Sequence, residues 1–97
     1  MKIQGKEYKI KVTLRAMMIF EQITGKAFEV KNTMDEMLYF YSILLANNPD
    51  CNISFESFIN ELDDNPKLIT EFKDLLLEYT DKMQQFPSPE TDSKKKL

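Results

Sequence analysis

The sequence predicts a mainly α chain with a short N-terminal β-hairpin, an α+β fold whose body is a small bundle of about four helices. Three observations predict it. Apolar residues recur at helical spacing in four stretches between about Leu14 and Met83, each opened by a capping residue or closed by a turn cluster. Strand-like alternation is confined to the first twelve residues. The 97 residues, 42% hydrophobic with seven Phe and four Tyr, suffice for one core and leave no room for a second.

The hairpin comes first. Gly5-Lys6 fits a two-residue turn with Gly at the first central position. That turn pairs Ile3 with Tyr8 and Met1 with Ile10, and all four share a face with Val12. Lys2, Lys9 and Lys11 point the other way, where lysines guard a sheet edge against further pairing. The alternative is an edge that receives a partner strand.

Thr13 is placed to cap a first helix, Leu14 to about Thr24, and Gly25 stands where a glycine ends it. Its apolar arc is Ala16, Met17, Ile19, Phe20 and Ile23, with Arg15 and Gln22 opposite; the adjacent Met17 and Met18 suit adaptable core filling. Thr33-Met34-Asp35-Glu36 has the form of a capping box, with Thr33 at the cap and Glu36 three residues on. The second helix then runs from Met34 to about Ala46. Its polar side is narrow, chiefly Asp35 and Ser42, while Met34, Met37, Leu38, Tyr39, Phe40, Tyr41, Ile43, Leu44 and Leu45 cover the rest. A helix apolar nearly all round is buried on several sides, so this is the expected central helix. One stripe of it, Leu38, Tyr41 and Leu45, is a candidate surface for a protein partner, because so small a chain has little helix with which to cover everything.

Asn47-Asn48-Pro49-Asp50 reads as a loop. Ser54 caps a short third helix with Phe55, Phe58, Ile59 and Leu62 on one face, and Asn65 with Pro66 opens a fourth. The arc of the fourth is Leu68, Ile69, Phe72, Leu75, Leu76, Tyr79 and Met83. Leu77 falls on its polar side and is a further candidate for a contact outside the core. Residues 1–84 thus form one expected domain, and 85–97, opening Gln85-Phe86-Pro87-Ser88-Pro89, a flexible tail.

Composition narrows the function classes. There is no histidine, one cysteine and two glycines, which leaves no usual zinc set, no intramolecular disulfide and no Gly-rich phosphate loop. Asp50 to Glu61 resembles calcium-loop spacing, but Phe55 occupies the position that needs glycine. Cys51 has no histidine to activate it, and Asp63-Asp64 has no partner base or metal. Glu56-Ser57-Phe58 is a poor match to the Asp-Ser-Leu of acyl carrier proteins, whose fold also lacks an N-terminal hairpin. No catalysis and no cofactor are expected. The first residues carry no signal-peptide core and no apolar run spans a membrane, so the expected setting is the cytoplasm. The formal charge of −3 is unevenly spread. Residues 1–15 carry five basic side chains against Glu7, and 49–84 carry nine acids against three lysines. A largely acidic chain is not expected to bind nucleic acid; the asymmetry suits a solubilising surface or head-to-tail association of like subunits.

The stretch Leu14-Arg15-Ala16-Met17-Met18-Ile19-Phe20-Glu21-Gln22-Ile23-Thr24-Gly25-Lys26-Ala27-Phe28 resembles the opening signature of phage tail assembly chaperones. There, a short hairpin bearing a Tyr precedes Thr-Leu-Arg-Ala and then Phe-Glu-x-x-Thr-Gly-Lys. Asn47-Asn48-Pro49-Asp50, Ser54-Phe55-Glu56-Ser57-Phe58 and Asp63-Asp64-Asn65-Pro66 look like versions from phages or prophages of gut Bacteroidales, and the resemblance spans roughly residues 1–80. It implies a non-catalytic protein of the bacterial host cytoplasm that binds the tape measure protein, whose long apolar helices would otherwise aggregate. Such a chaperone keeps that client soluble until tail-tube subunits polymerise around it, with the tail-tube protein a further partner and self-association an option. Many relatives are made in two lengths by ribosomal frameshifting, and Lys94-Lys95-Lys96 suits an A-rich slippery stretch. The competing readings are a structural tail component and a small regulatory protein-interaction adaptor.

Overall fold

A computed structural model describes residues 1–84 of the chain, with side chains as far as Tyr79. Along it run β1 (Lys2–Ile3), β2 (Lys6–Glu7), α1 (Leu14–Thr24), α2 (Thr33–Asn47), α3 (Phe55–Asp64) and α4 (Lys67–Gln84). The chain is therefore mainly helical with a two-stranded antiparallel hairpin at its N-terminus. The expected tail, its lysine run and the Met83 side chain lie outside the described residues.

The hairpin turns one residue earlier than Gly5-Lys6. Gln4 (φ 53°) and Gly5 (φ 78°) are its two central residues, and Ile3 pairs with Lys6 and Lys2 with Glu7. Two successive positive φ angles make the turn whose twist matches the flanking strands. Met1 consequently faces Tyr8 and not Ile10: the Tyr8 N–H donates to the Met1 carbonyl at 2.7 Å, and the Met1 ammonium donates to the Tyr8 carbonyl at 3.0 Å. Alternation could not separate the two registers, because each sets odd positions of the first strand across from even positions of the second. Sidedness therefore survives the slip. Ile3, Tyr8 and Val12 are buried, Met1 and Ile10 pack against them, and Lys2, Lys9 and Lys11 are exposed. Lys6 joins the apolar side, its ammonium 5.5 Å over the Tyr8 ring.

Beyond β2 no strand among the described residues lies beside the chain, and two asparagines replace one. Asn48 accepts from the Lys9 N–H through Oδ1 at 3.0 Å and donates from Nδ2 to the Lys9 carbonyl at 2.8 Å. A single carboxamide so answers both backbone groups of one residue, as a neighbouring peptide would. Asn47 Nδ2 donates to the Lys11 carbonyl at 2.8 Å. The same two amides also donate to the Ile43 and Leu44 carbonyls near the end of α2. Asn47-Asn48 thus closes a helix and fastens the N-terminal segment to it, with Asn47 the last residue of α2 and Asn48 its cap.

α1 has the expected boundaries. Thr13 Oγ1 accepts from the Ala16 N–H at 3.1 Å, and Gly25, at φ 74°, donates its N–H to the Glu21 carbonyl at 2.8 Å. Gly25 has open space where a Cβ would stand, so its conformation, not crowding, calls for glycine. α2 is capped one residue earlier than expected, by Asn32 and not Thr33, with Asn32 Oδ1 accepting from the Asp35 N–H at 2.8 Å. Asn32 and Asp35 have the same spacing as Thr33 and Glu36. The earlier pair gains more, because Asp35 also accepts from the Lys31 N–H at 3.1 Å and from the Lys26 ammonium at 3.0 Å. Those two bonds, the backbone one foremost, hold the Asp35 carboxyl below the usual carboxylate range.

The expected polar side of α2 is in fact interior: Asp35 is 3% exposed and Ser42 fully buried. Both are short, and both are satisfied locally. Ser42 Oγ donates to the Leu38 carbonyl one turn back at 2.7 Å, so the hydroxyl enters the core without an orphaned group. From Asp35 to Asn47 no residue of α2 is exposed. Three consecutive rings explain how. Successive residues of a helix point about 100° apart, so Tyr39, Phe40 and Tyr41 face three directions, and each meets a different neighbour. Tyr39 lies edge-on to Phe28 of the α1–α2 connector and to Phe20 of α1, at 4.8 and 6.4 Å between ring centres. Phe40 stacks on Phe72 of α4 at 4.7 Å, with the planes 8° apart. Tyr41 meets Phe55 and Phe58 of α3, each at 5.5 Å.

α3 starts as expected, with Ser54 Oγ accepting from the Ser57 N–H at 3.1 Å, and it buries Phe58 and Leu62. At the break the Asn65 N–H donates to the Glu61 carbonyl and closes α3. The Asn65 and Pro66 carbonyls accept the first bonds of the next helix, from Leu68 and from Ile69, both at 3.0 Å. α4 buries Leu68 and Phe72 and lays Ile69, Leu75, Leu76 and Tyr79 against the core.

Burial pushes the Tyr39 hydroxyl up to about 12, with Tyr79 adding a smaller repulsion. The fold favours the neutral phenol, so this contribution is whole below the ordinary pKa near 10 and is lost as pH rises towards 12. Tyr39→Phe is therefore expected to lose less stability than wild type over that window. Urea titrations across the alkaline range check it, and parallel stability curves would rule it out.

Candidate protein-interaction surface

The four side chains singled out from sequence fall in two places. Leu38, Tyr41 and Leu45 lie along α2 and are each half-buried. Leu38 and Tyr41 pack against the core, and the Tyr41 hydroxyl donates to the Ile53 carbonyl at 2.6 Å. Burial raises the Tyr41 pKa, Cys51 contributing less. Tyr41 therefore fastens the α2–α3 connector and α3 to α2, and the stripe it belongs to faces other parts of the same chain. Leu77 stands apart on α4, 64% exposed.

Sequence reasoning passed over the larger apolar surface. Among the described residues the exposed large apolar side chains are Leu14, Met18, Ile23, Val30, Met34 and Leu77, and five of these six fall between Leu14 and Met34. Leu14 (72% exposed) and Met18 (53%) sit one turn apart on α1, on the side away from Ala16 and Phe20. With Arg15, Ile19 and Gln22 they line a shallow hollow of about 290 Å³. Ile23, Val30 and Met34 belong to the last turn of α1, the connector and the first turn of α2. The signal was in the composition of α1. Seven of its eleven residues are apolar, and one helix packed on one neighbour buries only part of its circumference. Of the adjacent methionines, Met17 packs against the core as expected and Met18 faces outward.

The remaining features offer little chemistry. A polar cleft of about 250 Å³ lies between β2 and the end of α2, lined by Lys6 to Lys9 and Asn47 to Cys51. The calcium-like spacing places Ile53 and Phe58 in the core, and among the described residues no three Asp, Glu, Cys or His side chains gather as a metal site would need. Glu7 accepts from the Met1 ammonium at 2.6 Å, which lowers its pKa. Among the described residues no helix is long and apolar enough to cross a membrane.

Compared with known protein families, with curated proteins and with solved structures, the chain matches none.

Proposed function

We propose that this chain is a non-catalytic binding protein of the phage tail assembly chaperone kind. It holds a tape measure protein soluble in the host cytoplasm until tail-tube subunits assemble around it. One observation carries this reading: five large apolar side chains stand exposed between Leu14 and Met34, the region that also bears the resemblance to those chaperones. Exposed apolar side chains in such number are candidates for partner contacts, and two of the five are methionines, whose flexible side chains adapt to varied apolar partners. The client is an amphipathic helical segment whose apolar stripe lies on Ile23, Val30 and Met34. These need no rearrangement to be reached, whereas Tyr41 of the α2 stripe is held by Phe55 and the Ile53 carbonyl.

Co-expression with the tape measure protein tests the proposal. Wild type is expected to raise the client's soluble fraction and to co-elute with it in gel filtration. Ile23→Asp/Met34→Asp, which alters only exposed positions, is expected to lose both effects while keeping its circular dichroism. Unchanged client solubility with wild type sinks the reading. Finding the chain in purified virions would favour a structural tail component, and salt-sensitive retention on nucleic acid would favour an adaptor acting through the basic hairpin.

A further inference from the structure

We infer that copies of this chain associate head to tail, with Leu77 on α4 of one copy seated in the hollow on the outer face of α1 of the next. The receiving side is the hollow lined by Leu14, Arg15, Met18, Ile19 and Gln22, two of whose apolar side chains are more than half exposed. The inserting side is the exposed Leu77, a single apolar projection on an otherwise polar helix face. Charge selects the pairing. Arg15 at the hollow is exposed and has no ion-pair partner among the described residues; nor have Lys9 and Lys11 just before α1. Around Leu77, among the described residues, the exposed side chains include Asp74 one turn before it, with Lys73 opposing, while Glu78 lines a hollow together with Lys11 of the same copy. The one acid of the N-terminal segment, Glu7, is already taken by the Met1 ammonium. Arg15 at the hollow and Asp74 near Leu77 are thus complementary between copies, whereas like faces repel, which disfavours a symmetric dimer through either one.

The two surfaces differ, so a pair keeps one free hollow and one free Leu77, and association is open-ended unless a ring closes. One helix laid on another falls short of the roughly 1,200 Å² that stable interfaces bury. Each joint is therefore weak, and assembly depends on concentration. The inference concerns the chain alone and does not rest on the client reading.

Sedimentation of purified full-length chain over a wide concentration range tests it, with two variants. Leu14→Asp spoils the hollow, and an acid at the first helical position favours α1 itself. Leu77→Lys removes the projection and sets a cation against Arg15. Wild type is expected to grow beyond two copies as concentration rises, and each variant alone to stay monomeric. Their equimolar mixture is expected to form a capped dimer and nothing larger, because one variant retains the projection and the other the hollow. A monomeric wild type at every concentration, a wild type that stops at two copies, or a mixture that stays monomeric would each overturn the inference.

Discussion

Phe40→Ala is expected to bring the fold close to collapse. Phe40 is fully buried and stacks on Phe72, itself fully buried and edge-on to Phe58 at 5.9 Å, so the ring joins α2 to α4 and Phe72 carries the stack on to α3. Truncating a buried Phe costs about 3–5 kcal/mol, the spread reflecting how far neighbours relax into the space. A domain of this size has about 5–15 kcal/mol in total. Relaxation is hampered here because the rings around the gap are planar and already in contact. Urea unfolding followed by far-ultraviolet circular dichroism should show the midpoint falling by at least about a fifth. Leu77→Ala, at an exposed site, should stay within about 0.5 kcal/mol of wild type. A cost below about 1 kcal/mol for Phe40→Ala would mean that the ring stack does not hold the helices together.

Asn47→Ala/Asn48→Ala has the next largest expected effect, and a local one. The pair makes five hydrogen bonds: three to Lys9 and Lys11 backbone groups, and two to the Ile43 and Leu44 carbonyls. A typical net value of about 0.5–1.5 kcal/mol per bond, discounted because water reaches those on Lys9 and Lys11, gives a loss of about 2–4 kcal/mol. The N-terminal segment should loosen before the helices do. Trypsin should then cut at Lys9 and Lys11 much faster than in wild type, and the Lys9 amide should lose its protection from hydrogen exchange. Equal cleavage rates would show that Ile3, Tyr8 and Val12 hold the segment without the asparagines.

Local chemistry was the legible part of this fold. Thr13, Gly25 and Ser54 act where the sequence places them because each signal is complete within a few residues. The central position of the second helix followed from its apolar circumference alone. Two features were ambiguous in principle. Alternation is blind to a register change that preserves facing, so Gln4-Gly5 and Gly5-Lys6 were equal candidates for the turn. Asn32 and Thr33 both make good caps, and the choice rested on Lys26, which lies outside the local motif. Asp35 and Ser42 were misplaced for a related reason: polarity predicts exposure only when a group lacks a partner, and both have one nearby.

Exposure was only partly legible. Leu77 is as exposed as its position on the polar side of the fourth helix suggested. The stripe on α2 was sought where apolar residues were most abundant. Leu38 and Tyr41 pack against the chain's own core, and exposed apolar side chains fall instead on α1, the connector and the start of α2. Apolar excess therefore has to be judged against the number of neighbours a helix has, which the sequence does not state.

The run Tyr39-Phe40-Tyr41 limits how this protein can change over time. Three adjacent residues serve three different neighbours, so their assignments are phased by the helix itself. A change of volume at one ring disturbs one interface and leaves the other two in phase. Gain or loss of one residue upstream in α2 turns everything beyond it by about 100° and sends all three rings to the wrong neighbours together. The helix can drift in composition but not in length, and insertions are left to the connectors and the chain's ends.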